Sequence, residues 1–224
     1  MQNLMISACI HGNNPRQTNL SQNIEPNQEN KAVMKLNLGC GHDHMDGFVN
    51  VDASKLGNPD MVVDLEVTPW PWEDSSVDEI MIKHTLEHLG QSPKTYLAIM
   101  CEFWRVCKND TKITIIVPHH RHDHFINDPT HVRAITPGGL ELFSQNRNLE
   151  WIEKGMGNSP LGLNLGIDFD LTNATFVPDQ PWRGRLERKE MNNQQFAEAA
   201  QNLNNVVVET RITLKAVKPV TSAS

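Results

Sequence analysis

The chain has 224 residues and a formal net charge of −7 at pH 7. This length suffices for one domain with a complete core. The acidic balance argues against a nucleic-acid-binding protein, which normally needs a concentrated basic face. No apolar run is long enough to cross a bilayer, and the start has neither the positive leader nor the apolar stretch of a signal peptide. We therefore expect a cytoplasmic protein with no nucleic-acid or membrane partner.

The first predicted elements are a polar tail and four short strands. Residues 1–33 are rich in Asn, Gln and Pro and show little periodicity, which predicts a flexible N-terminal tail. Apolar runs bounded by glycine or polar residues then predict strands at 34–39, 47–52, 60–65 and 77–84.

The central and C-terminal parts of the chain alternate between helix and strand patterns. Ser92 is a plausible N-cap with Pro93 at the first helical position, and Tyr96, Met100 and Phe103 form an apolar stripe behind it. A turn at 109–110 leads to a buried strand at 111–118, and Thr136-Pro137 starts a helix that runs to about residue 144. Further strands are predicted at 166–177 and 205–217, with a helix over about 192–203 between them. Residues 220–224 are expected to be disordered.

Strands that alternate with helices indicate an α/β fold, with a mostly parallel sheet covered by helices on both faces. In such sheets ligands bind at the carboxyl ends of the strands. The residues after the first three predicted strands are Gly39, Cys40 and Gly41, then Asp52, then Asp64 with Leu65. Each alone is typical of a turn or a cap. At three successive strand ends they suggest a nucleoside site, with Asp52 on the ribose hydroxyls and Asp64 on an adenine edge.

The string LNLGCG…NVD…VVDLE…PWPWEDSSVDEIMIKHTLEHL resembles the class I S-adenosylmethionine-dependent methyltransferases, and among them the type 11 small-molecule group. The similarity runs from residue 34 to about 118. It implies a Rossmann-like methyltransferase domain over 34–219, with a seven-stranded sheet whose last strand is antiparallel. It also implies S-adenosyl-L-methionine as cofactor. Its methionine part would lie against Asn37, Gly39, Cys40 and Gly41, its ribose on Asp52, and its adenine on Asp64 and Leu65.

Two features depart from the family pattern. Asn37 stands where many members have an acid. The connections after the first two strands are also too short for full crossover helices, so we expect those helices to be missing or reduced to a turn.

The segment HTLEH, residues 84–88, spells the H-x-x-E-H signature of one class of zinc hydrolases. That signature needs both histidines on one helix, whereas here it begins at the end of a strand, and Gly90 and Pro93 leave little room for a helix. We therefore disfavour a zinc hydrolase. His84 is expected in a loop facing the cofactor, with Glu87 and His88 in local packing.

A second polar cluster follows the strand at 111–118, in VPHHRHDHFINDPTHVR. It contains histidines 119, 120, 122, 124 and 131 and aspartates 123 and 128. We expect this loop to border the same cleft as His84, from the opposite side. The histidines fit an exposed loop, a divalent-metal site, or substrate binding with proton abstraction, and no metal ligand is assigned. His119 and His120 are the favoured catalytic candidates with His84, because they lie nearest the strand end.

The sequence thus predicts methyl transfer to a small-molecule acceptor, with a histidine as general base. The alternative is a catalytically inactive adenosyl-nucleoside-binding module that acts as a partner or sensor, for which the short crossovers and Asn37 argue. The oligomeric state is left open.

Overall fold

A computed structural model describes residues 33–219, and within them a single seven-stranded sheet. The predicted tail at 1–33, apart from Val33, and the predicted disordered C-terminus at 220–224 lie outside the described residues. The strands are β1 (Lys35–Leu38), β2 (Val49–Asp52), β3 (Met61–Val62), β4 (Val77–Lys83), β5 (Cys107–Pro118), β6 (Phe169–Pro178) and β7 (Val207–Ala216).

The strand order across the sheet is β3-β2-β1-β4-β5-β7-β6. The first five strands pair in parallel, and β7 is antiparallel to both β5 and β6. The order reverses direction at β1, where the chain leaves β3 at one edge and returns to β4 on the other side of β1. This Rossmann-like topology with an antiparallel last strand confirms the predicted fold class.

All helices of the described residues come after β4 in the sequence. They are α1 (Pro93–Val106), α2 (Asp123–Ile126), α3 (Pro137–Glu141), α4 (Gln145–Glu153), α5 (Leu161–Leu165), α6 (Trp182–Glu187) and α7 (Asn193–Asn202), and a 3₁₀ turn spans Leu86–His88. The Ser92 side chain accepts a hydrogen bond from the Thr95 N–H, and Pro93 opens α1, as predicted. No helix within 33–219 is long and apolar enough to span a membrane.

One face of the sheet carries the hydrophobic core. Alternate residues of the central strands, such as Leu36, Ile80 and Ile113, are fully or almost fully buried there and pack with Phe103 of α1 and Leu140 of α3. Because successive side chains in a strand point to opposite faces, the intervening residues form the second face. That face is polar, with ion pairs Lys35–Glu79 (2.9 Å) and Lys112–Glu79 (3.7 Å) between neighbouring strands.

The crossovers at the β3 side of the sheet contain no helix. Residues 39–48 join β1 to β2 and residues 53–60 join β2 to β3, each as turns and bends. The two connections pack directly on each other, because the position of a Cβ on Gly57 is only 1.9 Å from the carbonyl oxygen of Gly41. The predicted reduction of both crossover helices is confirmed.

Two local details differ from the sequence-based expectations. Strand β5 begins at Cys107, where α1 ends, so the expected turn at 109–110 lies inside the strand. Asp110 has φ +63° there, and the β4–β5 register shifts between Val77 and Glu79, so the two residues form an irregularity rather than a chain reversal. Helices α2, α4, α5 and α6 were not predicted, since they are short and present few apolar residues to the core.

Candidate functional site

The glycine loop at the end of β1 is held against β2 by backbone hydrogen bonds. The N–H groups of Gly39 and Cys40 both donate to the carbonyl oxygen of Val51, at 2.8 and 3.0 Å. Gly39 and Gly41 have φ values of +68° and +49°, which side chains rarely adopt. A Cβ on Gly41 would meet no atom within 4 Å, so open space borders the loop at this residue.

Asp52 at the end of β2 joins the loop to the next strand end. Its Oδ2 accepts the Gly41 N–H at 2.9 Å, and its Oδ1 accepts the Ser54 N–H at 2.8 Å. Each carboxylate oxygen keeps a further lone pair. Burial, followed by the nearby Asp52 carboxylate, raises the pKa of the Cys40 thiol. The Cys40 side chain is buried, and its Sγ lies 3.6 Å from the Gly41 carbonyl oxygen.

Asp64 and Leu65 follow β3, the third strand end at this edge. The Val63 N–H donates to the Asp52 carbonyl oxygen at 3.0 Å, so the chain after β3 runs beside Asp52. Asp64 is exposed, and its Oδ1 accepts the Glu66 N–H at 2.9 Å. Leu65 is buried. The structure thus brings the ends of β1, β2 and β3 side by side, in the arrangement that the sequence predicted.

Asn37 has a structural role in this arrangement. It is 4% exposed, and its Nδ2 donates to the Asp43 carbonyl oxygen at 2.8 Å and to Asn50 Oδ1 at 2.9 Å. Both amide N–H groups therefore tie the β1–β2 crossover to the sheet. These hydrogen bonds hold the short connection against the sheet, although it contains no helix that could pack there.

A cavity of about 520 Å³, here called the polar cavity, lies beyond the ends of β4 and β5. His84 lines it, with its backbone at φ +49° and its N–H bonded to the Ile116 carbonyl oxygen. His84 Nε2 lies 3.3 Å from Glu209 Oε2, and its Nδ1 lies 3.7 Å from Glu87 Oε1. The Glu87 carboxylate, and less strongly that of Glu209, raises the pKa of His84. Arg183 and Arg211 also line the polar cavity.

His119 and His120 line a different cavity of about 510 Å³, here called the apolar cavity, together with Phe176 and Phe196. The expectation that they share a cleft with His84 is wrong. Pro118, the last residue of β5, borders the polar cavity, whereas His119 and His120, which follow it, line the apolar cavity. Burial lowers the pKa of His119 to about 4, and it also lowers the pKa of His120.

From the loop after β5, His131 lines the polar cavity with His84, as His124 and Asp128 also do. The N–H groups of Val132 and Arg133 donate to the Glu87 carbonyl oxygen at 2.9 and 3.2 Å, which draws the loop onto the 3₁₀ turn. Glu87, His88 and His131 thereby form a group whose metal-binding atoms all lie within 4.8 Å of one another.

Sequence reasoning missed this group, since it attributed Glu87 and His88 to packing. It also missed Glu209, which belongs to β7, more than 100 residues along the chain from His84. As expected, residues 84–88 do not form the continuous helix of the H-x-x-E-H signature, because the 3₁₀ turn begins only at Leu86.

Neither a protein-family model nor a curated protein sequence matches the chain. Solved structures do match it, among them a SAM-dependent methyltransferase from Archaeoglobus fulgidus, with a TM-score of 0.53, 19% identity, and 83% of this chain and 87% of that chain covered. The YcgJ protein from Bacillus subtilis has a TM-score of 0.48 and 15% identity, with coverages of 84% and 93%. A putative type 11 methyltransferase from Sulfolobus solfataricus has a TM-score of 0.43 and 12% identity, with coverages of 85% and 88%. The first match shows that the chain has the class I methyltransferase fold, which confirms the sequence resemblance at the level of the fold.

Proposed function

We propose that the chain transfers the methyl group of S-adenosyl-L-methionine to a small polar acceptor bound in the polar cavity. The observation that carries this proposal is the hydrogen bond between the Gly41 N–H and Asp52 Oδ2. It joins a glycine bend to a carboxylate at the reversal point of the sheet, where open-sheet proteins bind nucleotides. The match to the Archaeoglobus fulgidus enzyme fold supports the same assignment.

The residues at this edge fit an adenosyl group. The remaining lone pairs of Asp52 suit two ribose hydroxyls, and the open space beside Gly41 admits a ligand close to the backbone. Leu65 and the exposed Asp64 carboxylate follow on the adjacent strand end, within reach of an adenine ring in this proposal.

The cofactor supplies an activated methyl group, so the protein has to align an acceptor with it and exclude water. His84 is the preferred histidine base on geometry. It lies in the polar cavity at the end of β4, and Oγ1 of Thr85, the next residue, lies 3.3 Å from the Gly39 carbonyl oxygen and 2.9 Å from that of Lys83. His119 and His120 lie in the apolar cavity and are not preferred.

Calorimetric titration with S-adenosylhomocysteine tests the proposed cofactor site. Asp52→Asn keeps the side-chain volume but loses a charged acceptor, which we expect to weaken binding about 10- to 100-fold. Asp46→Asn, at an exposed residue of the β1–β2 crossover, is the matched control and should bind like the wild type. A folded wild-type protein without affinity, or equal affinity of Asp52→Asn and wild type, would contradict the proposal.

A methyl-transfer assay with labelled cofactor and a panel of small hydroxyl, amine and carboxylate acceptors separates the enzyme from the inactive binding module. The helix-free crossovers beside Asp52 are the observation that favours the binding module. Transfer that is lost in His84→Ala and kept in His119→Ala supports the enzyme with His84 as base. Tight cofactor binding without transfer to any acceptor supports the module.

A further inference from the structure

We propose that Glu87, His88 and His131 form a binding site for a divalent transition-metal ion of the zinc type, in the wall of the polar cavity. The three residues come from two segments, the 3₁₀ turn after β4 and the loop after β5. A ring nitrogen of each histidine and a carboxylate oxygen of Glu87 lie within 4.8 Å of one another. The two imidazole rings have centroids 4.5 Å apart.

The Glu87 carboxylate is the first independent sign of a cation. Its side chain is 1% exposed, and neither oxygen has a hydrogen-bond partner among residues 33–219. The nearest basic atoms are His84 Nδ1 at 3.7 Å and His131 Nε2 at 4.0 Å, both beyond hydrogen-bond distance. Burial of a carboxylate without hydrogen-bond donors strongly destabilises the folded state. A bound divalent cation would offset this cost, because it neutralises the charge.

The hydrogen bonds of the two histidines are the second sign. His131 Nδ1 lies 2.8 Å from the Phe125 carbonyl oxygen, which can only accept, so in the neutral ring Nδ1 carries the hydrogen. His88 Nδ1 lies 2.9 Å from Thr130 Oγ1, whose own proton is donated to Asp128 Oδ1 at 2.6 Å. His88 Nδ1 is therefore also the donor. Both rings keep an Nε2 lone pair, and their outer partners are of the kind that orient metal-binding histidines.

The donor set selects the class of ion. Two imidazoles and one carboxylate are typical of zinc sites that retain an open coordination position, while Mg²⁺ and Ca²⁺ prefer oxygen donors. Zinc bonds of about 2.0–2.1 Å place tetrahedral ligand atoms about 3.4 Å apart, so binding has to draw these side chains together. The Glu87 carboxylate has no hydrogen bond to break when the side chain moves. The fourth position would face the polar cavity and accept water or a ligand oxygen.

This site differs from the H-x-x-E-H arrangement in its ligand set, because the glutamate of that signature acts as the base, whereas Glu87 is itself a ligand here. In that signature His84 would bind the metal, whereas here His131 takes the place and His84 stays outside the group. The proposal is also independent of the adenosyl site, because Asp52 contributes nothing to the group.

The test uses the full chain without an affinity tag, made metal-free by chelation, dialysed and titrated with zinc chloride. We expect one zinc per chain by calorimetry and by elemental analysis, and visible d–d absorption when cobalt(II) chloride replaces zinc. Glu87→Gln and His131→Ala should lose stoichiometric binding. Thr130→Val, which removes an outer partner only, should weaken binding about 10- to 100-fold.

Two histidine variants serve as controls. His124→Ala removes another histidine that lines the polar cavity, and His84→Ala removes the first histidine of the signature. Both should keep one zinc per chain. Binding lost in His84→Ala but kept in His131→Ala would overturn the proposal in favour of the signature. Binding reduced equally in all variants, including His124→Ala, would mean nonspecific uptake and would also overturn it.

Thermal unfolding supplies a readout that does not depend on stoichiometry. Zinc should raise the melting temperature of the wild type and not that of Glu87→Gln. Metal-free Glu87→Gln should be at least as stable as the metal-free wild type, since it removes a buried charge whose oxygens accept no hydrogen bond. A folded wild type that takes up no zinc, or a Glu87→Gln variant stabilised by zinc like the wild type, would refute the site. Asp52→Asn should bind zinc normally, so this result stands whether or not the adenosyl site is correct.

Discussion

Thr85 occupies the space beside Gly39, so that a Cβ added to Gly39 would lie 2.1 Å from Thr85 Oγ1. Gly39 also has φ +68°, a backbone conformation that disfavours side chains. The end of β1 and the segment after β4 are therefore in contact only because residue 39 lacks a side chain. This contact positions the glycine loop next to the polar cavity.

The first prediction concerns this contact. Gly39→Ala should lower the free energy of unfolding by about 2–4 kcal/mol, the sum of backbone strain and steric overlap. Gly47→Ala is a matched control, because Gly47 has φ +78° but no atom within 4 Å of an added Cβ, so only about 1–2 kcal/mol of backbone strain should appear. Urea unfolding measures both. Equal decreases in the free energy of unfolding of the two variants would show that the Thr85 side chain moves away from the added methyl group.

The second prediction addresses the packing of the two short crossovers. A Cβ on Gly57 would lie 1.9 Å from the Gly41 carbonyl oxygen, and a backbone atom cannot rotate away. Gly57→Ala should therefore displace the glycine loop and weaken S-adenosylhomocysteine binding about tenfold, or about 1.4 kcal/mol. Gly138→Ala, where an added Cβ meets nothing within 4 Å, should bind like the wild type. Calorimetry compares them, and unchanged affinity of Gly57→Ala would argue against the loop as part of the site.

The third prediction concerns the ion pair that anchors the segment before β4. Arg105 bonds both carboxylate oxygens of Glu102, at 2.6 and 2.8 Å, and also donates to the carbonyl oxygens of Trp70 and Trp72. The Glu102 carboxylate raises the pKa of Arg105. Arg105→Ala leaves the nearly buried Glu102 with the Trp70 N–H as its other donor, so we expect a loss of about 2–4 kcal/mol in the free energy of unfolding.

The control for Arg105 is Arg188→Ala, which breaks an exposed pair with Glu190 and should leave stability unchanged within error. Chemical denaturation gives both values. A small effect of Arg105→Ala would mean that water or a neighbouring side chain replaces the guanidinium at Glu102.

The fourth prediction is a pH dependence that arises from His119. Burial, and then the charges of His120, Arg121 and His122, lowers its pKa from 6.5 to about 4. Between these pH values His119 is protonated in the unfolded chain and neutral in the folded protein. The contribution of His119 to stability is therefore complete above about pH 6.5 and is lost as the pH falls to about 4.

His119→Gln removes this titration while keeping a polar side chain of similar length. The stability difference between the wild type and His119→Gln should shift by about 1–3 kcal/mol in favour of the variant as the pH falls from 7 to 4. Urea midpoints at several pH values supply the measurement. Parallel profiles would show that the ring becomes solvated before it is protonated.

The arrangement of the first three strand ends was predictable from the sequence because it depends on local patterns. Gly39, Asp52 and Asp64 each follow an apolar run, and parallel strands bring their carboxyl ends to one edge whatever the details of the loops. The absence of crossover helices followed from the length of the connections alone. These features require no knowledge of side-chain contacts between distant segments.

The polar cavity could not be predicted in the same way. The position of each histidine after β5 depends on the path of the loop. His131 lines the polar cavity with His84, whereas His119 lines the apolar cavity. The approach of His131 to Glu87 depends on two backbone hydrogen bonds between segments more than 40 residues apart. Glu209 reaches the cavity because β7 inserts beside β5, a pairing that no local pattern encodes.

The insertion of β7 between β5 and β6 also sets an order of events during translation. The only neighbour of β6 in the described sheet is β7, which leaves the ribosome after it. Until residues 207–216 emerge, β6 therefore has no native strand to join, and both β5 and β6 expose open edges. A nascent chain stalled before Val207 should be open to proteases and to association with other chains, whereas release of the last strand closes both edges at once.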